Sequence, residues 1–274
     1  MAGASRCDRQ VLSGSPTMPP ESRRSTTGSE SRSPRLRRSP GGTGQGAPTG
    51  IVANPSTTDF LLVGAGTAAL FIWSTEDGTI AAWNGGPSAT IKFNATDAAV
   101  YKGLALAGDG SAFHLYAADF HNGKIEVLDN TFTPTSVPGG FADPRIPAGF
   151  APFNVMNLQG DLYGSYAKQQ QGSNDEAHGV GLGIVDVFDA DGFLIARVAT
   201  RGKLNAPWGM AIAPAGFGRF GDDLLVGNFG DGKVNAYEGR TTKTTVSSAR
   251  SSLSTEPEDR APPRAAPPGC TGIA

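Results

Sequence analysis

The chain has 274 residues, a length that suits one all-β domain. Glycine at 38 and proline at 20 are abundant while charged residues make up only 18%, which favours short strands and tight turns over long helices. The net charge of -2 hides an asymmetry: residues 1–47 carry eight Arg against Asp8, Glu21 and Glu30, whereas residues 48–239 carry ten Lys or Arg against nineteen acids. An acidic central region argues against phosphate-backbone binding, which needs clustered basic side chains.

Residues 1–47 hold no Phe, Trp or Tyr and are rich in Ser, Arg, Pro and Gly, a mixture that buries too little apolar surface to offset chain entropy. A disordered basic tail is expected there. Within it, Ser31–Pro40 (SRSPRLRRSP) has the composition of a nucleic-acid or phosphorylation arm, and also that of GC-rich DNA translated out of frame. Met1 to Arg9 lead into no apolar signal core, and no stretch approaches the roughly 20 apolar residues of a membrane span. As it stands the chain reads as soluble and cytoplasmic. Cys7 and Cys270 lie in opposite tails, so neither a disulfide framework nor a cysteine-based zinc site is readable.

From Pro48 the pattern changes. Short apolar strands are expected at Thr49 to Ala53, Tyr101 to Ala107, Phe153 to Leu158 and Trp208 to Ala213, each followed by a hairpin. Their leading residues Gly50, Gly103, Phe153 and Gly209 fall 53, 50 and 56 residues apart, a period that suits four-stranded propeller blades. The phrase Leu115 to Asp129 (LYAADFHNGKIEVLD) recurs 109 residues later, with Phe120, Gly123 and Lys124 falling on Phe229, Gly232 and Lys233. Turns at Glu76-Asp77-Gly78, His121-Asn122-Gly123, Asp191-Gly192 and Gly230-Asp231-Gly232 supply glycine where positive φ is needed. Residues 48–239 are therefore expected to form a β-propeller fragment of three to four blades, with a Greek-key sandwich as the alternative. Residues 240–274 return to Pro, Ala and Arg without an aromatic side chain, and read as a second disordered tail.

Several motifs compete with plainer readings. Phe60 to Ala69 runs into a GxGxxA pattern, yet Phe71, Ile72 and Trp73 continue straight to a turn, so the helix a dinucleotide fold requires is missing. Asp186, Asp189 and Asp191 before Gly192 are weak candidates for a divalent cation such as calcium, without the bidentate Glu of an EF-hand loop. Asn174, Asp175, Glu176 and His178 sit in a polar insertion that reads as a solvated loop or a metal site. Asp119 and Asn228 occupy equivalent repeat positions at strand ends; with Asn154 and Asn205 they are the candidate binding residues at the channel mouth, against the reading that Asx side chains close the next turn. Trp73, Trp83 and Trp208 read as blade core. No catalytic residue and no cofactor is assigned.

The phrase LYAADFHNGKIEVLD with its upstream YKGLALAGDG resembles an NHL-type repeat. EDGTIAAW, VYKGLAL, FADPRIPAGFAPFNV, NAPWGMAIAPAGFGRF and LLVGNFGDGKVNAY together resemble an uncharacterised bacterial family of six-bladed, TolB-like propellers. That resemblance implies an exported protein, secreted or periplasmic, whose loops bind a protein, glycan or surface component without catalysis. Six-bladed lactonases, which hold a cation on Asp, Asn and Glu at the channel, supply the enzymatic alternative. Family members begin with a signal peptide and further blades and continue past NAYE, so this chain is expected to be a truncated or frameshifted copy, without function of its own in the extreme case. An open arc with exposed end blades follows, and with it self-association.

Overall fold

The computed structural model describes residues 47–62, 66–108, 110 and 112–238, together with the backbone of two strands at 35–36 and 249–253. The two tails apart from those strands, the Arg- and Ser-rich segment apart from residues 35–36, and residues 63–65 of the glycine-rich motif lie outside the described residues. The described residues belong to one compact unit, Pro34–Ala274.

The strands are β1 (Arg35–Leu36), β2 (Pro48–Ala53), β3 (Phe71–Thr75), β4 (Thr79–Trp83), β5 (Ser88–Asn94), β6 (Tyr101–Gly108), β7 (Phe113–Asp119), β8 (Lys124–Leu128) and β9 (Pro134–Thr135). They continue with β10 (Phe150–Leu158), β11 (Asp161–Lys168), β12 (Gly183–Phe188), β13 (Leu194–Thr200), β14 (Pro207–Ile212), β15 (Leu224–Asn228), β16 (Val234–Tyr237) and β17 (Ala249–Leu253). Consecutive strands pair antiparallel into four sheets: β2 to β5, β6 to β9, β10 to β13 and β14 to β17, with β1 added parallel to β5. This is a four-blade β-propeller arrangement, and the expected fold class holds. The fourth strand of the last blade, β17, comes from the segment read as a C-terminal tail.

Burial explains why these residues make these strands. The inner strand of the second blade, β6, is buried at every position but its last, and β12 of the third blade is buried throughout. Both are covered on two faces, so their sequences are mostly apolar rather than alternating, broken only by the paired charges Lys102 and Asp186. The inner strands of the outermost blades, β2 and β14, instead alternate between buried and exposed positions, as sheets covered on one face do.

Three apolar layers lie between the blades. Ile72, Ile80 and Ala82 of the first blade meet Leu104, Leu106, Leu115 and Leu128 of the second. The other face of the second blade offers Ala105, Tyr116, Ile125 and Val127 to Val155, Tyr166, Ile184 and Phe188 of the third. Tyr163, Val185 and Val187 then pack on Met210, Leu224, Val226 and Tyr237 of the fourth. In this order β2 lies against β6, β6 against β10 and β10 against β14.

The leading glycines are needed because neighbouring inner strands approach closely. A Cβ on Gly50 would lie 2.8 Å from the Leu104 backbone nitrogen, and one on Gly103 would lie 2.6 Å from the Asn154 Cα. At Gly209 a Cβ would meet nothing within 4 Å, because no described blade follows. Hydrogen bonds stitch the same seam: Thr49 Oγ1 donates to the Tyr101 carbonyl at 2.8 Å, and Ser74 Oγ donates to the Lys102 carbonyl at 3.0 Å.

Gly103→Ala is therefore expected to cost ~1–3 kcal/mol, the range for overpacking a close-packed site, while Gly209→Ala stays within about 0.5 kcal/mol of the parent. Denaturant unfolding of the two variants checks this; equal effects would contradict it.

Candidate functional site

The N-terminal ends of the inner strands and the turns joining second to third strands gather at one end of the arc. There they surround a cavity of about 600 Å³ lined by residues from all four blades. Three aromatic side chains form part of its wall: Phe153 from β10, Trp208 from β14 and Phe229 from the turn after β15. Phe153 is the hub. Its ring lies 4.8 Å from Trp208 and 6.1 Å from Phe229, centroid to centroid, with interplanar angles of 67° and 76°, and 5.5 Å from buried Phe120 beneath. Phe229 is 61% exposed although Phe120, its partner in the repeat, is buried.

The polar wall is built around two paired side chains. Lys102 on β6 is almost fully buried, places Nζ 2.5 Å from Glu76 Oε1 and lies 5.8 Å from the Phe120 ring centroid. On the other side the carboxylate of Glu176, also buried, accepts a 3.0 Å hydrogen bond from His178 Nε2. Thr49, Gln170 and Asp175 complete the polar lining. The insertion read as a solvated loop or metal site thus contributes Asp175, Glu176 and His178 to the cavity. It is anchored by Gln169, whose side-chain amide donates to the Phe120 carbonyl at 2.6 Å.

The four candidate binding residues are not among the residues that line this cavity. Asp119 has no exposed surface; it accepts from the backbone amides of Val100 and Asn122 and from Asn122 Nδ2, closing the β7–β8 hairpin. Asn154 bridges the third and fourth blades by donating to the Trp208 carbonyl at 2.8 Å. Asn205 and Asn228 are brought together: Asn228 Oδ1 accepts from the Asn205 amide, and its Nδ2 donates to the Lys203 carbonyl and to Asp231 Oδ1. Asn205 Oδ1 in turn accepts from Gly179 beside His178. Asn154 thus ties the cavity residue Trp208 to the third blade, and Asn205 ties down the backbone next to His178.

Asp186, Asp189 and Asp191 do not converge. Asp186 pairs with Arg197, whose Nε lies 2.8 Å from Asp186 Oδ1 and whose Nη2 lies 2.7 Å from Asp143 Oδ2. Asp189 accepts from the Phe193 amide across its turn, and Asp191 accepts through its backbone carbonyl from Gly139. Among the described residues no group of three or more His, Cys, Asp or Glu side chains is placed to hold a metal ion. The glycine-rich motif is followed by β3, a strand, as its spacing implies. Trp73 and Trp83, read as core, are half-buried on the outer face of the first blade, and Trp208 lines the cavity.

The Asp143–Arg197–Asp186 network clamps the connection between the second and third blades. Arg145, hydrogen-bonded to Asp143, is the main cause holding that carboxyl at about 2, helped by Arg197. Burial pushes Asp186 upward against the pull of Arg197.

No protein-family profile matches the chain. It is similar to three uncharacterized proteins of Acanthamoeba polyphaga mimivirus. One is 34% identical over 206 residues, covering 70% of this chain and 50% of the relative. A second is 34% identical over 175 residues, covering 61% and 32%, and a third 37% identical over 149 residues, covering 52% and 38%. The chain thus spans half the length or less of these curated relatives. They are viral, whereas the blade phrases resemble a bacterial family. Among solved structures, a gluconolactonase from Xanthomonas campestris aligns with a TM-score of 0.47 at 16% identity, over 65% of this chain and 57% of that one. The WD40 propeller domain of Doa1 aligns with a TM-score of 0.44 at 10% identity, over 77% and 55%.

Because Asp143 titrates lower in the folded chain than the ordinary 3.8, its contribution to stability is complete above about pH 4 and is lost as pH falls towards 2. The raised Asp186 has the opposite sign and offsets part of that loss. Asp143→Asn is expected to flatten the fall in stability between pH 4 and 2, followed by chemical denaturation at each pH. An unchanged slope would count against the clamp.

Proposed function

We propose that this propeller is a non-enzymatic binding module and that its ligand is a glycan held in the cavity at the inner-strand ends. The observation that carries the reading is the pairing of Trp208 and exposed Phe229 with carboxylate, amide and imidazole groups across one cavity. Aromatic rings take the apolar C–H face of a pyranose, while Glu76, Gln170, Asp175 and Glu176 offer acceptors to its hydroxyls. Function sited on loops over a rigid scaffold suits a propeller.

The lactonase-type alternative has less behind it. A cation site built on Asp119, Asn154, Asn205 and Asn228 competes with the hydrogen bonds these side chains make to hairpins and to the neighbouring blade. The TolB-like or NHL-like, six-bladed assignment rests on the repeat phrases and is part of this proposal, as is export; the bacterial setting is not, since the curated relatives are viral.

Phe229→Ala and Trp208→Ala are each expected to weaken binding of a neutral oligosaccharide by about tenfold or more, the usual cost of removing an aromatic anchor. Screening a panel of neutral glycans and titrating the best one calorimetrically provides the readout. Exposed Phe229 can be removed without disturbing the core, so failure of every glycan to bind, or binding indifferent to Phe229→Ala, would sink the proposal.

A further inference from the structure

Each blade in the described arc has two faces, and the three inter-blade layers use six of the eight. The two remaining faces differ in character. On the first blade, Ile51, Trp73, Ala81 and Ile91 stand in register across all four strands, and Phe71 pairs with Trp83 one step along. Phe71 lies 6.1 Å from Trp73 and 6.2 Å from Trp83, centroid to centroid, so the rings form one apolar plateau. The Trp83 indole donates to the Gly86 carbonyl, which leaves no polar requirement on the plateau from that ring. Ile51 is 57% exposed and Phe71 38% exposed. The register matches this plateau to Leu104, Leu106, Leu115 and Leu128 of the second blade, which the first blade buries.

On the fourth blade the open face is shallow. It carries Gly209, Ala211, Leu225, Gly227 and Val234, and Ala236, in register with them, is fully buried. Through the 109-residue repeat, Leu225, Gly227, Val234 and Ala236 correspond to Tyr116, Ala118, Ile125 and Val127, the face of the second blade that the third one covers. Gly209 carries the decisive detail. At Gly50 and Gly103 the missing side chain admits the inner strand of the next blade, whereas the same glycine on β14 has no atom within 4 Å of its virtual Cβ. It is shaped for a following inner strand.

We infer that the open face of the first blade docks on the open face of the fourth blade of a second copy of this chain, head to tail. The occupant is a second copy because the chain carries both halves of one further inter-blade layer, bulky and shallow. Within one arc β2 and β14 do not meet in an extended contact. The contact is heterologous, so it closes a ring or extends a chain of copies according to the curvature of the arc.

Sedimentation velocity over about a hundredfold range of concentration tests this. The parent is expected to associate with rising concentration, whereas Ile51→Lys and Leu225→Lys should each weaken association by at least about tenfold. Mixing the two variants should restore a 1:1 dimer and nothing larger, since one intact face of each kind survives. Thermal melts confirm folding, and Phe71→Lys with Ala211→Lys, both at exposed positions, replaces any variant that fails. A parent that stays monomeric throughout, association persisting in either variant alone, or a mixture that stays monomeric would overturn the inference.

Discussion

Everything in this molecule depends on one blade face being covered by the next. Each described sheet gains its core where a neighbouring blade packs on it, as stacked repeat units do. The seam is tightest along the inner strands, where Gly50 and Gly103 let β2 approach β6 and β6 approach β10 without an intervening side chain. That approach fixes the positions of the inner-strand ends, and the ends fix the cavity. Phe153 and Trp208 line it on strands that Asn154 pins together, and Lys102 lines it on a strand that Ser74 and Thr49 pin to the first blade.

The cavity and the open faces follow from the same geometry. Strands tilted around a common axis bring one residue from each blade to the same end, so a cavity drawing on all four blades needs no special loop. The polar insertion after β11 adds Glu176 and His178 to a wall the blades had already set. Among the described residues the first and fourth blades each have one face without a neighbouring blade, and burial differs accordingly: β2 and β14 mix buried and exposed positions, while β6 is buried at every position but its last.

Much of this was legible in the sequence. The spacing of Gly50, Gly103, Phe153 and Gly209 placed all four inner strands, and the turn glycines placed the hairpins; Gly123 and Gly232 do adopt positive φ. The outer strands β5 and β9 were not legible, because β5 is mostly half-buried and irregular in register and β9 is two residues long. Asp119 and Asn228 were correctly placed at strand ends, yet alternation along a strand does not tell whether an end faces the axis or the turn. Phe120 and Phe229 share one position in the repeat, and only the packing of Phe153 against both, with more neighbours around the first, separates a core ring from a cavity ring. The cavity's polar pairs, Glu76 with Lys102 and Glu176 with His178, join residues 26 and 2 positions apart, one of them across a blade boundary that no local pattern marks.

Native-state hydrogen exchange of the dilute chain tests most directly whether inter-blade cover, rather than pairing within each sheet, sets stability. The slowest amides are expected in β6, β7, β11 and β12 of the two central blades, with earlier opening in β3 and β4 of the first blade and β15 and β16 of the fourth. Equal protection across all four blades, or slowest exchange in the first or fourth, would contradict the account.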